Sequence, residues 1–236
     1  MWSFKKETYG TENMEFGGSS QILLKTQFFC GIVTATTCKC SGDCCCNPLS
    51  MGYIKGIIED NVEGIYVKSL MLGENLASDT ERGFLANMNE LVENACEQIR
   101  NDSLLQFGYN AIGFSQGGQF LVVQAQYWHD PLHEDEYRKK SIFLADINNE
   151  RDINQEYKKN LLNLKNLLLI KFKGDNMVVP KESSFGTKFY RFPIKDRIGL
   201  RKLDETGRLH FLAVEGDHLK IDKETFIKEV IEKFLK

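Results

Sequence analysis

The chain has 236 residues, of which 42% are apolar, and its 33 acidic and 30 basic residues give a net charge of −3. This length and apolar content fit one α/β domain with a substantial core, and the well-mixed charges exclude a basic face for nucleic acid. No run of about 18 apolar residues occurs, so the sequence predicts no conventional transmembrane span.

The N-terminal segment is predicted to be atypical and disordered at least in part. Residues 1–27 have mixed polar character and a Gly17–Ser20 break, which predicts a loosely ordered tail. The basic start at Met1–Lys6 is followed by polar residues where a signal peptide needs an apolar stretch, so we predict no signal peptide. We therefore expect an atypical segment over 1–38 and the folded domain over 39–236.

Six of the seven cysteines lie between Cys30 and Cys46. A zinc site would need paired Cys-x-x-Cys units or nearby histidines, and the four histidines lie far away in sequence. Disulfides or free thiols are therefore favoured, and no metal ion is predicted. Because the count is odd, at least one thiol has no intramolecular partner.

Strand and helix patterns alternate through the first half of the chain. β-branched residues predict a strand over Gly31–Thr37, and Asn47 with Pro48 predicts the start of a helix. A strand over Gly64–Leu70, the longest helix over Ser78–Ile99 and a strand over 107–112 follow. This order predicts a parallel sheet with right-handed crossovers.

A sharp turn at Gly113–Gly117 joins the last of these strands to a predicted helix over 117–125. Strand, turn and helix form the context in which Gly-x-Ser-x-Gly becomes a nucleophile elbow. Ser115 would lie at the helix N-terminus, where backbone N–H groups can stabilise an oxyanion. Ser115 is therefore the predicted nucleophile, and an acid and then a histidine should follow it in the chain.

The predicted acid is Asp175. Aromatic and mixed segments over 127–148 predict a cap or rim, and a helix over Gln155–Leu164 then leads into a strand over Leu167–Phe172. Asp175 follows that strand, and catalytic groups in parallel sheets collect beyond the carboxyl ends of strands.

The predicted base is His218, in the loop between the last strand, Leu209–Val214, and a closing helix over Lys223–Leu235. Ser115, Asp175 and His218 follow the required chain order. The other histidines precede the predicted acid or lie within a strand pattern: His129, His133 and His210.

Long blocks on both sides of Ser115 form a pattern that is far more specific than the elbow alone. They are Gly42-Asp43, Cys45–Gly52, Gly108–Ala111, Gly113–Leu121, Tyr127–Pro131, Ser141–Asn148, Tyr157–Leu161, Asp196–Leu200 and Glu215–Leu219. In these blocks the chain resembles the palmitoyl-protein thioesterases, lysosomal α/β-hydrolases that remove fatty acyl groups from protein cysteines. The resemblance implies an α/β-hydrolase-like domain over 39–236, with a mostly parallel sheet flanked by helices.

The resemblance carries the nucleophile, acid and base onto Ser115, Asp175 and His218, in agreement with the choice from the residues alone. It implies an acyl-serine intermediate, with His218 as the base in both half-reactions. Its implied substrates are S-palmitoylated proteins or peptides and fatty acyl thioesters, and it implies no cofactor. It also implies a lysosomal or secreted protein, which the glycosylation sequon Asn101–Ser103 would suit.

Two stretches depart from the family pattern. Where the family has His-Gly-Met-Gly-Asp, this chain has Lys39–Asp43, which leaves the backbone N–H groups of Gln116 and Ser41 as the predicted oxyanion hole. The family also carries several tens of residues after the elbow helix, where Leu121–Ala125 here leads directly to Tyr127.

By this resemblance, the missing piece contains a strand beside the elbow strand, part of the cap and the disulfide partner of Cys96. If the sheet closed over the gap, the strand that bears Asp175 would move by about 4.8 Å, one interstrand spacing. The alternative hypothesis is therefore a catalytically impaired isoform or incomplete gene product that acts at most as a lipid or acyl-protein binding module. A generic serine esterase is a weaker third hypothesis, because the matching blocks extend far beyond the elbow.

Overall fold

The computed structural model describes residues 2–4, 31–35, 51–75, 78–79, 82, 88–114, 134–140, 144–177, 181 and 196–236. These ranges contain a six-stranded sheet. Its strands are β1 (Trp2–Phe4), β2 (Gly31–Ala35), β3 (Val67–Leu70), β4 (Tyr109–Gly113), β5 (Leu167–Phe172) and β6 (Leu209–Val214).

The helices of the described residues lie between and after these strands. They are α1 (Met51–Asn61), α2 (Met88–Arg100), α3 (Glu134–Lys140), α4 (Leu144–Ile147), α5 (Gln155–Leu162), α6 (Leu200–Glu205), α7 (Lys223–Phe226) and α8 (Glu232–Phe234). A π-helical turn at Ile227–Ile231 joins α7 to α8. Side-chain caps fix two of the helix starts, since Asn154 accepts from the N–H of Glu156 and Asp222 from that of Thr225.

The strand order is β3-β2-β4-β1-β5-β6. β2 runs parallel to β3 and β4, and β5 runs parallel to β6, as the alternation of strands and helices predicts. β1 is antiparallel to β4 and to β5. The protein therefore has an α/β fold whose mostly parallel sheet contains one antiparallel strand at an internal position.

The prediction of a loosely ordered tail over residues 1–27 is wrong for Trp2–Phe4, which forms β1. The pattern failed there because three residues are too few for alternation to be read, and because their partners lie far along the chain. β2 also comes from the segment 1–38, and it lies within the strand predicted over Gly31–Thr37. The domain boundary at residue 38 stays a prediction, because residues 36–50 lie outside the described ranges.

Two apolar clusters cover opposite faces of the sheet. Core A contains Ile57, Ile58, Val67, Ile112, Leu168, Phe226, Val230, Ile231 and Leu235. Core B contains Ala111, Leu164, Leu167, Leu203 and Leu209. Consecutive strand residues point to opposite faces, so Ala111 and Ile112 in β4, like Leu167 and Leu168 in β5, contribute to different cores. Both cores therefore join β4 to β5 across the position of β1.

Most predicted elements in the described ranges are confirmed, with changes at their ends. β5 and β6 have the predicted bounds, whereas the other strands are shorter or shifted, in part because Gly64 and Gly108 adopt positive φ before β3 and β4. Helices α3 and α4 lie in the segment predicted to form a cap or rim, where the sequence showed no clear periodicity. The helix predicted over 117–125 lies outside the described residues.

Candidate active site

Asp175 and His218 follow neighbouring strands at one edge of the sheet. β5 and β6 are parallel and in register to their last residues, where Phe172 pairs with Val214. The loops that leave these strands therefore begin side by side, as expected for catalytic groups at the carboxyl ends of parallel strands.

The two predicted side chains are in contact. Nδ1 of His218 lies 2.8 Å from Oδ2 of Asp175, and both side chains are largely buried, with 10% and 3% of their surface exposed. The other carboxylate oxygen, Oδ1, accepts from the backbone N–H of Met177 at 2.9 Å. Both oxygens of Asp175 are thus engaged, which fixes the carboxylate against the imidazole. A carboxylate at Nδ1 orients the ring and leaves Nε2 as the nitrogen that can exchange a proton with a nucleophile.

Backbone contacts between the two loops hold this pair in place. The N–H of Gly174 donates to the carbonyl oxygen of Gly216 at 2.9 Å. A Cβ on Gly174 would come within 2.8 Å of that same oxygen, so the approach requires glycine. Gly216 has φ of +111°, and a Cβ there would lie 2.4 Å from the carbonyl oxygen of Lys220.

Asp217 forms a second connection between the loops. Its Oδ1 accepts from the backbone N–H of His218 at 2.7 Å and from that of Asn176 at 3.4 Å. These donors, that of His218 foremost, lower the pKa of the Asp217 carboxyl below its ordinary value. The Asp217 carboxylate therefore accepts hydrogen bonds from the backbone of both loops, at Asn176 next to Asp175 and at His218. Sequence reasoning missed this residue, although it lies in the Glu215–Leu219 block.

The remaining predicted site residues lie outside the described ranges. These residues are Ser115, Gln116 and Ser41. β4 brings the chain to Gly113, the first residue of the elbow, and Phe114 packs against core A. Because β4 is antiparallel to β1, as β5 is, it runs parallel to β5, and its carboxyl end reaches the edge at which Asp175 and His218 meet.

The structure also describes one further histidine and one cysteine that the sequence analysis considered. His210 lies within β6, where its Nε2 is 2.9 Å from Oδ1 of Asn166, so it is a strand residue as expected. His129 and His133 lie outside the described residues. Cys96 is a free, exposed thiol on α2.

Asn101, the acceptor of the predicted sequon, is exposed at the end of α2 and lines a cavity of about 680 Å³ beside β3. This cavity is lined by residues around Lys68 and Asp102 and does not include Asp175 or His218.

Among the described residues, no cluster of three or more His, Cys, Asp or Glu is placed to hold a metal ion. In the same ranges, no helix has both the length and the apolar content to cross a membrane.

Comparisons with known proteins identify the family. The family model for palmitoyl protein thioesterase matches residues 38–122 and 119–218. Palmitoyl-protein thioesterase 1 of Caenorhabditis elegans is 44% identical over 265 residues, covering 82% of this chain and 88% of that protein. Palmitoyl-protein thioesterase 3 of Dictyostelium discoideum is 29% identical, covering 78% of this chain and 86% of that protein. Lysosomal thioesterase PPT2 of Bos taurus is 43% identical over 76 residues, 31% of this chain and 25% of that protein.

The form of these matches also bears on the predicted gap after the elbow. The two segments matched by the family model meet at residues 119–122, where the sequence departs from the family pattern. The alignment with the Caenorhabditis elegans protein extends over 265 residues, more than this chain contains, so that relative has residues with no counterpart here. The long matched segments on either side of that point show that the chain belongs to the palmitoyl protein thioesterase family.

Proposed function

We propose that this chain hydrolyses fatty acyl thioesters, with palmitoyl groups on protein cysteines as its substrates, by a triad of Ser115, His218 and Asp175. The proposal depends on one observation, the 2.8 Å contact between His218 Nδ1 and Asp175 Oδ2 in a member of this family. The names of the relatives support the substrate class, since those with the greatest coverage are named palmitoyl-protein thioesterases.

In the proposed acylation, Nε2 of His218 takes the proton of the Ser115 hydroxyl as its oxygen attacks the thioester carbonyl. The backbone N–H groups of Gln116 and Ser41 stabilise the resulting oxyanion. Collapse breaks the carbon–sulfur bond, and the imidazolium gives its proton to the leaving thiolate. The products of this half-reaction are the free cysteine and an acyl ester on Ser115.

In the proposed deacylation, water attacks the acyl ester while His218 again accepts the proton. The same oxyanion donors act a second time, and collapse breaks the ester bond and releases the fatty acid while the imidazolium returns its proton to the Ser115 oxygen. Asp175 remains ionised throughout; it holds the imidazole in the tautomer with a proton on Nδ1 and stabilises the imidazolium. Its buried position strengthens this interaction, because water does not compete for the carboxylate.

The proposed reaction needs no cofactor, because every proton and bond is accounted for by the triad and water. The proposed partners are therefore S-palmitoylated proteins or peptides and fatty acyl thioesters. We place the protein in the lysosome, since relatives that match part of the chain are named lysosomal thioesterases.

The test combines a fluorophosphonate probe with hydrolysis of a palmitoyl-cysteine peptide, using purified, folded protein. We expect the unaltered protein to be labelled and to hydrolyse the thioester, and Ser115→Ala to lose both activities. Asp175→Asn should lower kcat by about 10⁴-fold, because an amide favours the wrong imidazole tautomer. Asp222→Asn is the matched control: it makes the same chemical change at a helix cap, where asparagine serves as well as aspartate.

A non-catalytic binding module is the second candidate, favoured by the break in the family match at residues 119–122, close to the predicted nucleophile. A folded, unlabelled protein that binds the palmitoyl peptide without cleaving it would support this candidate against the enzyme. Labelling and cleavage that persist in Ser115→Ala would contradict the proposed nucleophile.

A further inference from the structure

β1 occupies the internal position of the sheet that separates the two halves of the proposed triad. On one side it pairs with β4, matching Trp2 with Ala111, Ser3 with Asn110 and Phe4 with Tyr109. On the other side it pairs with β5, where Trp2 is opposite Leu167. β4 leads to the proposed nucleophile and β5 to the proposed acid, so three residues at the start of the chain lie between them.

The width of β1 sets the distance between these two strands. Hydrogen-bonded strands lie about 4.8 Å apart, so β4 and β5 are separated by about 9.6 Å. Direct pairing of β4 with β5 would shorten that distance by one spacing and carry Asp175 and His218 with it. Catalytic proton transfer requires heavy atoms about 2.6–3.2 Å apart, so a shift of one spacing is far beyond what the reaction tolerates.

β1 comes from outside the part of the chain that resembles the family. The family match begins at residue 38, whereas β1 ends at Phe4. β1 is also antiparallel to both neighbours, so it does not repeat the parallel crossover connection of the other strands. It stands beside the elbow strand, which is the position that the resemblance assigns to a strand of the missing segment.

Packing alone would leave the facing edges of β4 and β5 without hydrogen-bond partners. Cores A and B join the strands from both faces, and Asn110 in the middle of β4 is only 3% exposed. Backbone N–H and C=O groups at such a buried position need partners. β1 supplies partners to those groups of Tyr109–Ala111 that face it, and it lies opposite Leu167 in β5, whose own N–H donates to the carbonyl oxygen of Arg208.

We propose that Trp2–Phe4 is a positioning element for the proposed reaction: it replaces a strand of the sheet and keeps the strand of Ser115 and the strand of Asp175 at their working separation. This inference rests on the function proposed above. β1 touches no substrate and acts only through the strands beside it.

The test is the variant Ser3→Pro in the full chain, measured by hydrogen exchange and by turnover of the palmitoyl-cysteine peptide. Proline removes a ladder N–H and fixes φ away from the extended range, so an internal strand cannot accommodate it. We expect the amides within Tyr109–Ala111 that face β1 to lose protection, while β2–β3 and β5–β6 retain theirs, including Leu167, whose N–H donates to the carbonyl oxygen of Arg208. Turnover should fall by about a hundredfold, the typical cost of a small misplacement of catalytic groups.

Gln155→Pro is the matched control. Gln155 is the first residue of α5, and Asn154 before it is extended, with φ of −80° and ψ of 108°. Both conditions suit a proline at this position. We expect this variant to keep its exchange protection and its turnover.

Two results would overturn the inference. One is full turnover in Ser3→Pro; the other, which needs no variant, is exchange of the amides of Trp2–Phe4 in the unaltered protein as fast as in an unfolded chain. The exchange rate of the Trp2–Phe4 amides in the unaltered protein tests whether β1 forms, even if Ser3→Pro fails to fold. An unaltered protein without thioesterase activity would instead refute the proposed function, while loss of protection in Ser3→Pro would still support the replacement of a strand by β1.

Discussion

Asp217 shows how a residue that takes no part in the proposed proton transfer can still hold the pair formed by Asp175 and His218. Its carboxylate bonds the backbone of His218 and of Asn176, and these bonds lower its pKa. A carboxyl whose pKa is lower in the folded state stabilises the fold above its unfolded pKa, about 3.9. That contribution is lost as the pH falls through the lower, folded value. The contribution is therefore fully present at neutral pH, and only its change with pH is confined to acidic pH.

We predict that Asp217→Asn lowers the melting temperature at pH 5 and above, because the amide accepts the same N–H groups without a charge. The difference between variant and unaltered protein should shrink as the pH falls below about 3.9, where the unaltered carboxyl also becomes protonated. Thermal unfolding of both proteins from pH 7 to pH 2 measures this. A difference that is constant over the whole range would show that the charge of Asp217 is irrelevant.

At the scale of single residues, the contact between Asp175 and His218 could be predicted because each follows a strand pattern, whereas their catalytic roles stay a prediction. Asp217 could not be predicted, since its role depends on a loop conformation that brings two distant N–H groups to one oxygen. The need for glycine at position 174 could not be predicted from the sequence either. The contact that requires it is a carbonyl oxygen of another loop, at Gly216.

Among the elements, the loop between α4 and α5 is held by a buried asparagine. Asn149 is fully buried and left-handed, with φ of 53°. Its Nδ2 donates to the carbonyl oxygens of Asn154 and Arg197, and its Oδ1 accepts from the N–H of Asn154. Nη1 of Arg197 donates a hydrogen bond to the carbonyl oxygen of Asn149. The cap of α5 and the segment that precedes α6 therefore depend on one side chain.

We predict that Asn149→Ala lowers the free energy of unfolding by about 2–4 kcal/mol, because buried backbone groups lose their partners and alanine tolerates positive φ poorly. Asn148→Ala is the neighbouring control. Its one described bond, to Glu150, is long at 3.4 Å, so the change should stay within about 0.5 kcal/mol. Urea unfolding of both variants makes the comparison. Equal losses in the two variants would contradict a special role for Asn149.

The sequence predicts elements well where the period is clear, as for β5 and β6, whose bounds agree with the structure. It predicts a loosely ordered tail where β1 forms, because three residues carry no period and their pairing depends on partners more than 100 residues away in the chain. It also places no helix at α3 or α4, which are short and lie where the sequence showed no clear periodicity. Tertiary contacts decide both cases.

In the whole molecule, the sheet consists of two parallel parts, β3-β2-β4 and β5-β6, joined through the short β1. The connection between the two parts would be weak if the backbone hydrogen bonds of β1 were its only support. Core A crosses this connection, however, since it contains Val67 of β3, Ile112 of β4 and Leu168 of β5. Phe226 of α7 packs in the same cluster and is 2% exposed. The two parts should therefore unfold together.

We predict that Phe226→Ala lowers the free energy of unfolding by about 3–5 kcal/mol, the usual cost of removing a buried aromatic ring. The loss should appear in one cooperative transition, with the same urea midpoint whether hydrogen exchange is read in β2–β3 or in β5–β6. Phe211→Ala is the control, because this phenylalanine of β6 is 42% exposed and its removal should cost less than about 1 kcal/mol. Separate midpoints for the two parts in Phe226→Ala would mean that core A does not couple them. In that case core B and the short strand β1 would have to keep the proposed nucleophile and acid within one structure.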